Sequence, residues 1–102
     1  MSAPQTEVLV FVDGREIARH VLGPGAHSFG ASDECGIRVE AALVSPRHAR
    51  LTIGEDGALL VEDLGSANGT FVNSTRLEPN STLKIRSGDN IRVGDTVLRF
   101  EN

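Results

Sequence analysis

The chain has 102 residues, a size that fits one domain with a modest core and no deep enclosed cavity. Its net charge is −4, Trp and Tyr are absent and Phe occurs four times. A phosphate backbone needs a basic face and single strands need stacking aromatics, so no nucleic-acid partner is expected.

Residues 1–6, "MSAPQT", read as a flexible N-terminal tail ahead of a single domain over 7–102. This start has no basic group and no apolar run, so no secretory signal is expected. The lone Cys35 cannot form an internal disulfide and fits a reducing, cytoplasmic compartment. "EVLVFV" then meets Asp13–Gly14 and is followed by "REIARHVL". Asp-Gly between two apolar-rich runs predicts a hairpin whose two central residues have positive φ. The longest apolar run, Val8–Val12, is far too short to cross a bilayer, so no membrane insertion is expected. "DECGIRVEAALVSPRHARL" comes closest to a helical period, but Gly36 and Pro46 interrupt it. "ARLTI" and "ALLVEDL" flank "GEDG" (Gly54–Gly57), and "NIRV" and "TVLRF" flank Gly94–Asp95. Short strand-like runs separated by turn residues predict an all-β sandwich or barrel. Glycosylation-type triplets start at Asn68, Asn73 and Asn80; without a secretory signal they read as turn chemistry.

Three clusters could carry chemistry. "DLGSANGTFVN", Asp63–Asn73, is a glycine-rich loop that could aim backbone N–H groups at an anion. A nucleotide-binding loop needs a Lys after its last Gly and then a helix, whereas Gly69 is followed by strand-like "TFVN". Taken alone the stretch is a structured turn, with Asn68 bonding nearby backbone and Gly69 supplying a positive φ. "VSPRHAR" offers Ser45 and His48, but no G-x-S-x-G elbow accompanies them, so a Ser–His hydrolase is disfavoured. His48 is expected to pack inward and bond loop backbone. In "HSFGASDECGIRV" and beyond, His20, His27, Cys35 and His48 match no metal-ligand spacing. No metal and no cofactor are expected, and Cys35 reads as a small core residue.

Taken together, Gly30 after a short strand, S-x-x-H at Ser45 and His48, "DLGSANGTFVN", and "SGDNIRVGDTVLRF" (Ser87–Phe100) resemble the forkhead-associated (FHA) domain over about Val8 to Phe100. The resemblance implies a sandwich of two antiparallel sheets with about eleven short strands. It also implies a non-catalytic module whose loops at one end bind a protein or peptide, in this family one carrying phosphothreonine. By resemblance, Asn68 hydrogen-bonds the peptide backbone and Ser45 donates to the phosphate. Ser66 belongs to the peptide-touching loop. His48 braces the Ser45 loop, Gly30, Gly69 and Thr70 shape their loops, and Asn73 ties its own loop down.

The chain departs from the family pattern at three ligand positions. The Arg that follows the glycine is Ala31, the hydroxyl residue before Asn68 is Ala67, and the residue after Ser45 is Pro46, which has no N–H. Arg47 and Ser32 are candidate substitutes for the missing donors. Two readings follow: an FHA-type interaction module that works without phosphate inside a larger protein or assembly, favoured by these losses, and a phosphothreonine reader with a rearranged pocket.

Overall fold

The computed structural model describes residues 5–102. It contains eleven strands and, among the described residues, no helix. In chain order they are β1 (Thr6–Val12), β2 (Arg15–Leu22), β3 (Gly25–Gly30), β4 (Ile37–Arg38), β5 (Ala49–Ile53) and β6 (Leu59–Asp63). Then follow β7 (Phe71–Val72), β8 (Thr75–Arg76), β9 (Thr82–Ile85), β10 (Asn90–Val93) and β11 (Thr96–Glu101). The turns follow from residue type. Asp13 (φ 53°) and Gly14 (φ 78°) close the β1–β2 hairpin, with both central residues left-handed as Asp-Gly predicts. Asn73 (φ 57°) and Asn80 (φ 62°), two of the triplet asparagines, also sit in left-handed turns.

One sheet has the order β2-β1-β11-β10-β7-β8 and the other β4-β3-β5-β6-β9. Pairing is antiparallel, as expected of this two-sheet sandwich of eleven short strands, except between β3 and β4, which run parallel. Alternation along the strands builds the core. Val8 and Val10 of β1 point inward with Leu98 and Phe100 of β11, and meet Phe29 and Leu51 of the other sheet.

Of the tail expected over 1–6, residues 1–4 lie outside the described residues. Thr6 is already strand: it is buried, pairs with Leu22, and its hydroxyl accepts from Asn102 Nδ2 at 3.3 Å. Cys35 is not a core residue. It sits half-buried on the β3–β4 loop, its Sγ 3.2 Å from the Pro46 carbonyl oxygen, because the chain has already left the sandwich at Gly30.

Register brings the three clusters to one end. Phe29, next to the last residue of β3, pairs with Ala49, the first of β5, and Ala49 pairs with Asp63, the last of β6. The β3–β4, β4–β5 and β6–β7 loops therefore leave the sheet together.

Candidate functional site

The β3–β4 and β4–β5 loops touch through backbone. Ala31 N–H donates to the Ser45 carbonyl (3.0 Å) and Ser32 N–H to the Pro46 carbonyl (3.1 Å). This contact explains Gly30, whose φ is not left-handed. A Cβ there would sit 2.2 Å from the Pro46 carbonyl oxygen, so any side chain would push the loops apart. Gly30 sets the loop by close approach rather than by a turn.

His48 is fully buried and links three segments. Ser45 N–H donates to its Nδ1 at 3.0 Å, so Nδ1 is an acceptor and the ring proton lies on Nε2. Nε2–H donates to the Gly69 carbonyl at 3.0 Å. Its own N–H donates to Phe29, and its carbonyl accepts from Leu64 N–H. Burial depresses the His48 pKa and outweighs the opposing pull of the Gly69 carbonyl and the Asp63 charge. The ring is a neutral brace.

Asp63 organises the β6–β7 loop, a role the sequence reading did not give it. Oδ2 accepts the N–H groups of Gly65 (3.0 Å) and Ser66 (3.1 Å). Oδ1 accepts the hydroxyls of Ser66 (2.6 Å) and Thr70 (2.7 Å). Burial pushes this carboxyl's pKa up, but the four hydrogen bonds win and hold it below the usual carboxylate value. The signal was present as an Asp at a strand end, with Gly-Ser two and three residues on and Thr seven residues on. The many other acids in the chain hid it.

Ser66 accepts the Gly69 N–H at 3.0 Å while its own hydrogen goes to Asp63. It holds the loop, and its hydroxyl hydrogen is committed to Asp63. Thr70 is buried, and Gly69 has φ 89°. Asn73 does more than tie its own turn: its Oδ1 accepts Asn90 N–H and its Nδ2 reaches Asp89, which joins the β7–β8 and β9–β10 turns.

The remaining candidates lie around one rim. Ser45 Oγ accepts Ala67 N–H at 3.1 Å, which leaves its hydrogen free. The Asn68 amide is exposed and makes one long contact, Nδ2 to the Leu43 carbonyl at 3.5 Å. Leu43 itself is half exposed (52%) and left-handed (φ 70°), a strained setting for Leu. Arg47 is 76% exposed and meets Glu34 at 3.8 Å. Ser32 Oγ accepts Glu34 N–H at 3.2 Å. Two further arginines are paired with carboxylates: Arg38 with Glu40, while its Nε donates to the Ala31 carbonyl, and Arg50 with Glu62. Three amides at this rim, those of Ala31, Ser32 and Ala67, are bonded within the protein, and Pro46 has none.

The family model for the FHA domain matches residues 27–94. The chain belongs to the FHA domain family. An oxoglutarate dehydrogenase inhibitor of Corynebacterium efficiens is 37% identical over 83 residues, covering 81% of this chain and 56% of that protein. The N-terminal FHA domain of S. cerevisiae Rad53p, solved in complex with a phosphothreonine peptide, superposes with a TM-score of 0.78 at 26% identity, covering 92% of this chain and 91% of that one. An FHA domain from Chlamydia trachomatis matches with a TM-score of 0.87 at 24% identity, covering 97% and 98%; this shows the fold alone. The chain spans between 3% and 56% of the length of the first curated relatives it matches. FHA domains are non-catalytic interaction modules, and homologous ones bind phosphopeptides. No helix among the described residues is long and apolar enough to cross a membrane.

Proposed function

We propose that this FHA domain is a non-catalytic, cytoplasmic interaction module, part of a larger protein or assembly. It grips an extended protein segment between the β4–β5 and β6–β7 loops without requiring a phosphate. Ser45 and Asn68 offer the free polar groups, and Leu43 offers an apolar neighbour. The observation that carries the phosphate-independent reading is at Ala31. Its side chain donates nothing, and its N–H is tied to the Ser45 carbonyl. A phosphomonoester carries nearly two negative charges and needs several charge-assisted hydrogen bonds, each contributing roughly 1.5–3 kcal/mol. Lacking an Arg, a hydroxyl and an amide at the family's ligand positions forgoes on the order of 4 kcal/mol, about a thousandfold in affinity. Cytoplasmic placement rests on the single unpaired cysteine.

The second reading has its own support. Arg47 is highly exposed and lies at the far end of a 3.8 Å pair, so it is free to turn toward a phosphate beside Ser45 and Ser32. The phosphothreonine peptide bound to the Rad53p domain is the natural ligand class for that reading.

Amide NMR titration with a phosphothreonine-oriented peptide library and its unphosphorylated counterpart separates the two. The phosphate-independent reading expects shifts at Ser45, Ala67 and Asn68 of similar size with both pools. Shifts at those residues with the phosphorylated pool alone, lost in Arg47→Ala, would establish the second reading instead.

A further inference from the structure

The outer face of the six-stranded sheet bears a row of side chains that the loop site does not use. Register sets Phe11, Val97, Arg92, Phe71 and Arg76 side by side across β1, β11, β10, β7 and β8. Their strand neighbours Val10, Leu98, Ile91 and Val72 point into the core, so the row faces solvent. The Arg92 guanidinium lies over the Phe71 ring at 4.6 Å and that of Arg99 over the Phe11 ring at 5.2 Å. Phe11, Arg92, Val97 and Arg99, with Asn73 and Asn90, line a shallow groove.

Its charge runs against that of the chain. The protein carries a net −4. Yet among the described residues Arg92 and Arg76 have no carboxylate within 4.0 Å, and Arg99 meets Glu101 only at 4.0 Å. Elsewhere Arg19, Arg38, Arg47 and Arg50 each have a carboxylate at closer range, and among the described residues Arg92 and Arg99 are the only charged ones that line the groove. Stacking on aromatic rings leaves each guanidinium edge available and its position held, a weakly hydrated fork suited to carboxylates.

We propose that this groove docks an unphosphorylated acidic segment of a partner protein, with carboxylates at alternate positions and an aliphatic side chain nearby. Spacing supports the alternation. Arg92 pairs with Val97 and Arg99 with Asn90, so the two arginines are diagonal neighbours on adjacent strands, roughly 7–8 Å apart at the backbone. Residues i and i+2 of an extended segment lie about 6.6 Å apart on one face, so two such carboxylates reach both arginines. Val97 offers the apolar contact between them. At its other end the row reaches the loop site: a Cβ on Gly69 would lie 3.0 Å from Arg76 Nε. A partner held in the groove thus extends naturally toward Asn68, raising its effective concentration there. The groove's own binding does not depend on whether the loop site needs phosphate.

The test uses the whole chain and a short unphosphorylated peptide with Glu at two successive alternate positions and Leu at the next alternate position, so that all three share one face, against the same peptide with Lys for Glu. Amide NMR locates binding and anisotropy measures it. The expected result is saturable shifts at Asn90, Arg92, Val97 and Arg99 with the Glu peptide alone, weakening as salt rises. Arg92→Gln with Arg99→Gln should weaken binding about tenfold, the loss of two exposed charge pairs. Asn90→Glu, which keeps both stacked arginines, should weaken it in the same direction, and Lys84→Glu on the opposite sheet should not. Absence of saturable shifts, equal binding of the Lys peptide, or shifts confined to Ser45 and Asn68 would overturn the proposal.

Discussion

Ser45 Oγ accepts a hydrogen bond from Ala67 N–H at 3.1 Å, joining two loops across 22 positions of sequence. The bond sets the rim of the candidate site while leaving the Ser45 hydrogen free. Beneath it, His48 takes the Ser45 N–H on one side of its ring and gives a hydrogen to the Gly69 carbonyl on the other. The two loops are fastened twice, once at the surface and once in the core.

Ser45→Ala removes the upper fastening. The freed Ala67 N–H is exposed and can bond water, so the expected stability loss is small, about 0.5–1.5 kcal/mol. The Ala67 amide should exchange with solvent faster than in the parent. Urea unfolding and hydrogen exchange check the two together; unchanged Ala67 exchange would mean that Ser45 does not hold that loop.

His48→Ala removes the lower one. A cavity opens in the core, and the Gly69 carbonyl and Ser45 N–H lose their partners. The expected cost is roughly 2–4 kcal/mol, read as a lower urea midpoint with an unchanged m-value. A loss within the error of the measurement would contradict the bracing role.

Stability should fall on acidification in two stages. The folded His48 pKa is depressed below its ordinary 6.5, because burial disfavours the charged ring and Nδ1 must accept from Ser45. As pH falls, the unfolded chain takes up that proton first. The His48 contribution is therefore full above about pH 6.5 and is lost as pH drops through the folded value. Asp63, also depressed, keeps its contribution above about 3.8 and loses it below, through its own folded value. Urea midpoints between pH 8 and pH 5 should fall in the parent and fall less in His48→Gln. Equal slopes would remove His48 as the cause.

Much of this was legible in the residues. Asp13–Gly14 specified its hairpin because both central φ values must be positive, and the runs around Gly54–Gly57 and Gly94–Asp95 gave four more strands. The short strands were harder: β4, β7 and β8 have two residues each, too few for any alternation to register. The parallel β3–β4 pair follows from the loop doubling back at Gly30, which no local pattern announces. In the site, S-x-x-H and "GSANGT" located the two loops. What they could not give was the division of labour within them. Ser66 read only as part of the peptide-touching loop, and its hydroxyl also serves Asp63 and Gly69. Asp63 looked like one acid among many, yet it collects four hydrogen bonds. Which partner a hydroxyl chooses depends on distances across the fold, not on its neighbours in sequence.

Gly30→Ala should be damaging although φ there is ordinary. The new methyl would meet the Pro46 carbonyl oxygen at 2.2 Å, and backbone on both sides must move. The expected cost is roughly 1–3 kcal/mol, with the Ala31 and Ser32 amide bonds weakened together. Hydrogen exchange at those two amides reports the change directly; full protection in the variant would show that the loops can separate without consequence.

We propose that this site binds without requiring phosphate because the family's donors are absent at Ala31, Pro46 and Ala67. Calorimetry with one phosphothreonine peptide and its unphosphorylated twin, on the parent and on Ala31→Arg with Ala67→Thr, tests it most directly. A guanidinium fork and a hydroxyl are restored while Pro46 stays. The expected result is no phosphate preference in the parent and a gain of roughly 2–4 kcal/mol for the phosphorylated peptide in the double variant, about thirty- to a thousandfold, declining as salt rises. A parent that already binds the phosphorylated peptide at low micromolar affinity, with nothing gained by the double variant, would contradict it and make Arg47 the working phosphate ligand.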